Sequence, residues 1–174
     1  MLVRLSQKIA ARTYLVFLDE RELNVVLVDQ VEGPNDPVFT DHLGDSERLH
    51  CTALGKIIMA NVSREIALSA LEKSNLTRCT RHTITDISTL EHQFEEIRRL
   101  GYAVDREEYT NGACCLASPL WDHAGSVVGA ISTSMPSSQF VAWDESRLAA
   151  QLKAVALRVS APLGTKVVSL RAYR

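Results

Sequence analysis

The stretch G-Y-A-V-D-R-E-E-Y-T-N-G-A-C-C-L-A-S-P-L-W-D-H-A-G-S-V-V-G-A-I-S-T-S-M-P, from Gly101 to Pro136, holds three short apolar runs separated by two polar breaks. The second break, Asp122-His123-Ala124-Gly125, is a hairpin turn signal, with Gly where a left-handed residue is wanted. The first break, Arg106 to Gly112, is longer and strongly polar. Three antiparallel strands are therefore expected, at about Tyr102–Asp105, Ala113–Trp121 and Ser126–Ser134. Alternate residues of a strand share a face. Ser132 and Ser134 then lie on the face of Val128 and Ala130, Cys115 with Ala117, and Asp105 with Ala103. Two serines, two apart among small residues, suit a small polar cavity. Periodicity alone is equally consistent with both serines facing solvent.

Working outward, Ser88-Thr89-Leu90-Glu91 fits a capping box. It leads into a helix with Leu90, Phe94 and Ile97 as its apolar stripe and Gly101 as its terminator. A last helix starts at Trp143 or Asp144, carries Leu148, Leu152, Val155 and Val159 on one side, and ends at Pro162 and Gly164. Towards the N-terminus, Thr52 is a candidate N-cap for a helix through Ala60, and Gly55 in its first turn allows close approach of a backbone or a ligand. Ser63–Ser74 reads as another helix, and Asn75–Asp86, with Arg78, Arg81 and His82, as a solvated charged loop. Tyr14–Leu18 and Leu23–Val31 form a hairpin across Asp19-Glu20-Arg21-Glu22. Gly33-Pro34-Asn35-Asp36-Pro37 is a loop, and Val38–Leu43 a further candidate strand. Residues 2–11 place Leu2, Leu5 and Ile9 at helical spacing, with no cap and no lead-in, as expected either of a chain cut from something longer or of a short N-terminus. Adjacent hairpins and separate helices make an α+β fold with an antiparallel sheet flanked by helices, not a doubly wound one.

The 174 residues fit one domain, 46% of them apolar and 23% charged. A net charge of −2 argues against nucleic-acid binding by this chain itself. No apolar run is long enough to span a membrane, and no secretion signal opens the chain. Its four cysteines, Cys51, Cys79, Cys114 and Cys115, are thus expected to be reduced thiols of a cytoplasmic protein. Cys114 and Cys115 point to opposite faces of a strand, so no disulfide joins them.

His50-Cys51-Thr52-Ala53-Leu54-Gly55-Lys56 resembles the H-x-T-A-x-G-K segment of IclR-family transcription regulators. Gly101–Asp105, Arg106-Glu107-Glu108, Asn111-Gly112, Cys115-Leu116-Ala117-Ser118-Pro119 and Ile131-Ser132-Thr133-Ser134 resemble the rest of that family's effector-domain signature, in order. The resemblance covers nearly the whole chain. It implies a GAF-like fold over residues 1–174, a single effector-sensing and oligomerisation domain with a cavity on one sheet face. It also implies a winged helix-turn-helix elsewhere in the parent regulator; nothing here matches one, so DNA would be reached only through that missing module. The ligand implied is a small keto, hydroxy or aromatic acid. Its carboxylate would be received by the backbone of Ala53 and Leu54, and its surroundings would be the side chains of Asp105, Cys115, Ser132 and Ser134. Self-association as a homodimer or homotetramer follows from the same resemblance. Cys51 stands where the family commonly has Ala, Cys114 where a larger or basic residue is frequent, and Met135 where Gly is frequent.

Two other readings use the same residues. Cys115 with Asp105 and a histidine could act as a thiol enzyme, although a neighbouring carboxylate raises a thiol's pKa rather than activating it. Asp105, Cys115 and His50 could instead hold zinc, at a spacing that matches no familiar zinc pattern. The expected reading has no catalytic residue, metal or cofactor, and no Arg or Lys of these motifs clearly placed in the cavity.

Overall fold

The computed structural model describes residues 1–19, 23–34 and 46–164. The expected strand at Val38–Leu43, the turn residues Glu20-Arg21-Glu22 and the loop residues Asn35-Asp36-Pro37 lie outside the described residues. The elements are α1 (Leu2–Ile9), β1 (Arg12–Asp19), β2 (Asn24–Val31), α2 (Ala53–Met59), α3 (Arg64–Lys73), α4 (Ile87–Leu100), β3 (Ala103–Arg106), β4 (Ala113–Trp121), β5 (Val127–Pro136), α5 (Ser137–Ala142) and α6 (Glu145–Ser160). Short 3-10 turns at Ser46–Cys51 and Ala161–Gly164 complete the described chain.

The five strands make one antiparallel sheet in the order β2-β1-β5-β4-β3. The N-terminal hairpin therefore joins the C-terminal meander through the β1–β5 pair. Its middle strands pair Tyr14 with Ser132 and Ala117 with Ser132, and β3 adds Ala103 opposite Ala117. One row further, Arg12, Ser134, Cys115 and Asp105 stand side by side. The expected Asp122–Gly125 turn forms as read. Gly125 has φ +77°, and the Asp122 carboxylate accepts from the N–H groups of Ala124 and Ser126 at 2.9 and 2.8 Å.

Side-chain alternation sorts the core into two halves. On one face Leu116, Leu120, Ile131 and Met135 of the sheet pack with Leu5 and Ile9 of α1, Phe140 of α5 and Leu148, Leu152 and Ala156 of α6. On the other, Val16, Ala103, Ala117 and Ala130 meet α2, α3 and α4 through Ala53, Ile57, Leu71, Leu90, Phe94 and Ile97. The result is helices, sheet, helices. The α1 stripe of Leu2, Leu5 and Ile9 is buried within its own chain. Cys114 and Cys115 fall on opposite faces, the first in the α6-side core and the second against the α2-side core.

Several local expectations are corrected. Asp86, not Ser88, caps α4: its carboxylate accepts from the Thr89 N–H at 2.8 Å and from the hydroxyls of Ser88 and Thr89 at 2.6 and 2.7 Å. An ionised cap two residues upstream collects the donors that a hydroxyl cap would have shared. The short helix α5 fills the gap before α6, which is capped by Asp144. The 75–86 segment is not merely solvated. Thr80 and Thr83 are buried and donate their hydroxyls to the carbonyls of Glu107 and Glu108, both at 2.6 Å.

Gly55 is required by a backbone rather than by a ligand. A Cβ there would sit 2.1 Å from the Leu49 carbonyl oxygen. The helix propensity of Ala would favour a Gly55→Ala variant by about 1 kcal/mol. The clash wins, because backbone cannot swing aside as a side chain can. Urea denaturation should find Gly55→Ala destabilised by about 1–3 kcal/mol, in the range of overpacked cores.

Candidate functional site

The face of the sheet under α2 is built from small residues: Ala103, Ala117, Ala130, Cys115, Ser132 and Ser134. Three of the residues expected to surround a ligand, Asp105, Cys115 and Ser134, occupy one row across β3, β4 and β5. Ser132 lies one row away, opposite Ala117. Ser132 and Ser134 are 2% and 6% exposed, which settles the open question of their orientation in favour of the interior. Ser132 Oγ donates to the Leu116 carbonyl at 3.1 Å. The Ser134 hydroxyl makes no hydrogen bond among the described residues, so it is available to a partner on this face.

The start of α2 belongs to the same core half, with Ala53 and Leu54 both buried in it. The first three N–H groups of a helix have no intrahelical acceptor. Thr52 answers one of them, its Oγ1 accepting from Gly55 N at 3.0 Å, while Lys56 N begins the helical ladder on Thr52 O at 2.9 Å. Among the described residues, nothing accepts from the N–H groups of Ala53 and Leu54. Two buried donors are left side by side on the face that carries Ser134.

The charges beneath α2 were less legible. Lys56 and Glu108 are almost fully buried and form an ion pair, Nζ to Oε1, at 2.6 Å. Lys56 also donates to Gln93 Oε1 at 3.3 Å. Lys56 is thus a cation of the quoted motifs inside the fold, already paired with Glu108. Two buried carboxylates, Asp105 and Glu108, share this neighbourhood with one ammonium. Burial first and the Glu108 charge second push Asp105 up to about 7, against the opposing pull of Lys56 and of the Glu108 and Tyr109 N–H groups. Near neutrality Asp105 is thus divided between an accepting carboxylate and a donating acid. It also has a structural duty: Glu108 N donates to Asp105 Oδ1 at 2.7 Å, closing the turn that follows β3. Replacement by Ala would remove that contact as well, so Asn is the cleaner probe. Lys56 and Glu108 both lay within the quoted motifs; the signal was their presence at fixed places in two motifs that the fold brings together.

The rival chemistries find little support in this geometry. His50 Nε2 lies 3.1 Å from the Thr77 carbonyl, and burial holds the imidazole below its usual pKa, hence neutral. Among the described residues no three His, Cys, Asp or Glu side chains are placed to hold a metal ion. A groove of about 560 Å³ between α2, α3 and α4, lined in part by Met59, Arg64, Glu91 and Arg98, contains none of the expected site residues.

The described residues thus form a three-layer α+β domain with two open backbone donors beneath one helix. The family model for the bacterial transcriptional regulator IclR C-terminal region matches residues 1–161, and the chain belongs to that family. The HTH-type transcriptional repressor AllR of Escherichia coli K12 is 35% identical over 144 residues, covering 81% of this chain and 52% of AllR. The chain thus spans about half the length of that curated relative. The crystal structure of the Thermotoga maritima IclR superposes with a TM-score of 0.82 at 32% identity, covering 94% of this chain and 65% of the other. The inducer-binding domain of the PobR transcription factor from Acinetobacter, a double mutant in complex with 3-hydroxybenzoic acid, superposes at 0.73 with 26% identity, covering 91% of this chain and 92% of that one. These relatives are named as transcription regulators, and the domain is regulatory, not enzymatic. No helix of the described residues is long and apolar enough to cross a membrane.

The raised Asp105 pKa has a definite sign. An acid whose folded pKa lies above its unfolded one holds extra protons in the folded state between the two values, so its contribution to stability is full below about pH 4 and is lost as pH rises through about 7. Urea denaturation of Asp105→Asn at pH 5 to 8 should show that this decline, at most about 1.4 kcal/mol per pH unit, is absent from the variant. The variant should be the more stable protein at pH 8. An unchanged slope would remove Asp105 as the source.

Proposed function

We propose that this domain senses a small organic acid for an IclR-type regulator, with the ligand seated between the start of α2 and the β3–β5 face. The observation that carries the reading is the pair of buried, unbonded N–H groups at Ala53 and Leu54 above the Asp105–Cys115–Ser134 row. Two converging backbone donors suit a carboxylate. Ser134, and Ser132 once turned from Leu116, can donate or accept. Protonated Asp105 donates to a carboxylate or carbonyl oxygen; ionised, it accepts from a ligand hydroxyl. Cys115 contributes a small, polarisable wall. The small side chains on this face suit a compact keto, hydroxy or aromatic acid, and the complex of the PobR domain with 3-hydroxybenzoic acid favours the aromatic class. Lys56, the cation buried under α2, is already paired with Glu108, so affinity on the order of micromolar or weaker is expected.

Calorimetric titration against a panel of keto, hydroxy and aromatic acids tests the reading. Ser132→Leu should abolish binding of the best acid while the far-UV circular dichroism stays native. If protonated Asp105 is the form that faces a ligand carboxylate, affinity should fall about tenfold from pH 6 to pH 8, following the competent fraction of a group with a pKa of about 7. Equal affinities for wild type and Ser132→Leu would place the ligand elsewhere.

In the parent regulator, the ligand state would bias DNA reading by a winged helix-turn-helix in another segment, in the cytoplasm where the DNA is. Regulators that read paired half-sites are two-fold assemblies. Self-association of this domain as a dimer or tetramer is the corresponding expectation, and sedimentation at tens of micromolar (roughly, for affinities in the usual range) should find no purely monomeric species.

A further inference from the structure

Two of the four cysteines stand together although they are far apart in sequence. Cys51 Sγ and Cys79 Sγ are 3.8 Å apart, the first on the turn that enters α2 and the second in the 75–86 segment. Their environments differ. Cys51 is fully buried, and its thiol donates to the Arg48 carbonyl at 3.4 Å. Cys79 is half-buried, and the Arg48 guanidinium donates to its sulfur at 3.2 Å. The Cys79 sulfur is therefore the one of the pair that peroxide reaches from solvent, whereas the Cys51 sulfur is enclosed. Burial, reinforced by Cys79, indeed raises the Cys51 thiol far above its usual pKa. Cys114 and Cys115 offer no such pairing, because they face opposite sides of β4.

We propose that Cys51 and Cys79 form a peroxide-responsive thiol pair that closes to an intramolecular disulfide within the folded domain. Cys79 thiolate attacks one oxygen of hydrogen peroxide; the O–O bond breaks, leaving Cys79 sulfenic acid and hydroxide. The Cys51 sulfur then attacks the Cys79 sulfur and displaces its hydroxide. Together with the Cys51 proton and the one Cys79 had already released, the two hydroxides become two waters. Two thiols are oxidised and one peroxide is reduced, and a dithiol reductant reverses the bond by exchange. The sulfurs must close from 3.8 Å to about 2 Å. Side-chain rotation at Cys79, on a segment outside helix and sheet, can supply most of that movement.

The test is peptide mapping of the native chain after titration with hydrogen peroxide, with free thiols blocked before digestion. A Cys51–Cys79 cross-linked peptide should appear first, at near-stoichiometric peroxide, and vanish on treatment with dithiothreitol. In Cys51→Ala, a small apolar replacement that suits the buried site, Cys79 should accumulate as a sulfenic acid that dimedone traps. In Cys79→Ser, Cys51 should stay reduced under the same dose. Oxidation of Cys114 or Cys115 ahead of the pair, or passage of wild-type Cys79 to sulfinic acid without the cross-link, would overturn the proposal. So would a cross-link that forms only in urea, since the bond must close in the folded domain.

Discussion

A single buried contact, the Lys56 ammonium on the Glu108 carboxylate, ties α2 to the sheet beneath it. It joins α2 to the turn between β3 and β4, two elements 52 residues apart in the chain. Neither partner tolerates loss of the other: an unpaired charge in such a place costs about 3–5 kcal/mol. The contact also sets the electrostatics around it. Burial first, and then the Glu108 charge that one ammonium does not offset, leave Asp105 holding its proton to near neutrality. The contact that holds the helix start thus also moderates the protonation of the buried strand residue beneath it.

The architecture was largely legible because strand alternation and turn chemistry are local. The Asp122–Gly125 turn fixed the β4–β5 pairing, and the face assignments of Asp105, Cys115, Ser132 and Ser134 followed from a period of two. Thr52 was visible as a cap for the same reason. The Asp86 cap was missed because Ser88 with Glu91 offers a competing pattern two residues later, and only the three-dimensional arrangement shows which oxygen collects the donors.

What the sequence did not disclose is long-range. Nothing in its own motif marks Lys56 as buried until Glu108 is placed beside it. Thr80 and Thr83 sit among arginines and a histidine, so composition assigns their segment to solvent, yet their hydroxyls satisfy carbonyls of the Glu107–Glu108 turn. Cys51 and Cys79 likewise show no motif spacing. Each case depends on two segments meeting from distant parts of the chain, which no window of periodicity can register.

The threonine contacts have a dynamic consequence. Glu107 holds a left-handed φ of 60°, a conformation that a non-glycine residue keeps only when its surroundings impose it. The hydroxyls of Thr80 and Thr83 supply part of that constraint. Release of the 75–86 segment therefore strips the Glu107 and Glu108 carbonyls of their donors and loosens the turn that positions Glu108 against Lys56. The two segments make one cooperative unit for local unfolding, so their amides should share a common opening free energy in hydrogen exchange. A molecule leaving from beneath α2 through this side would then depart at the opening rate of that unit rather than at the speed of side-chain motion.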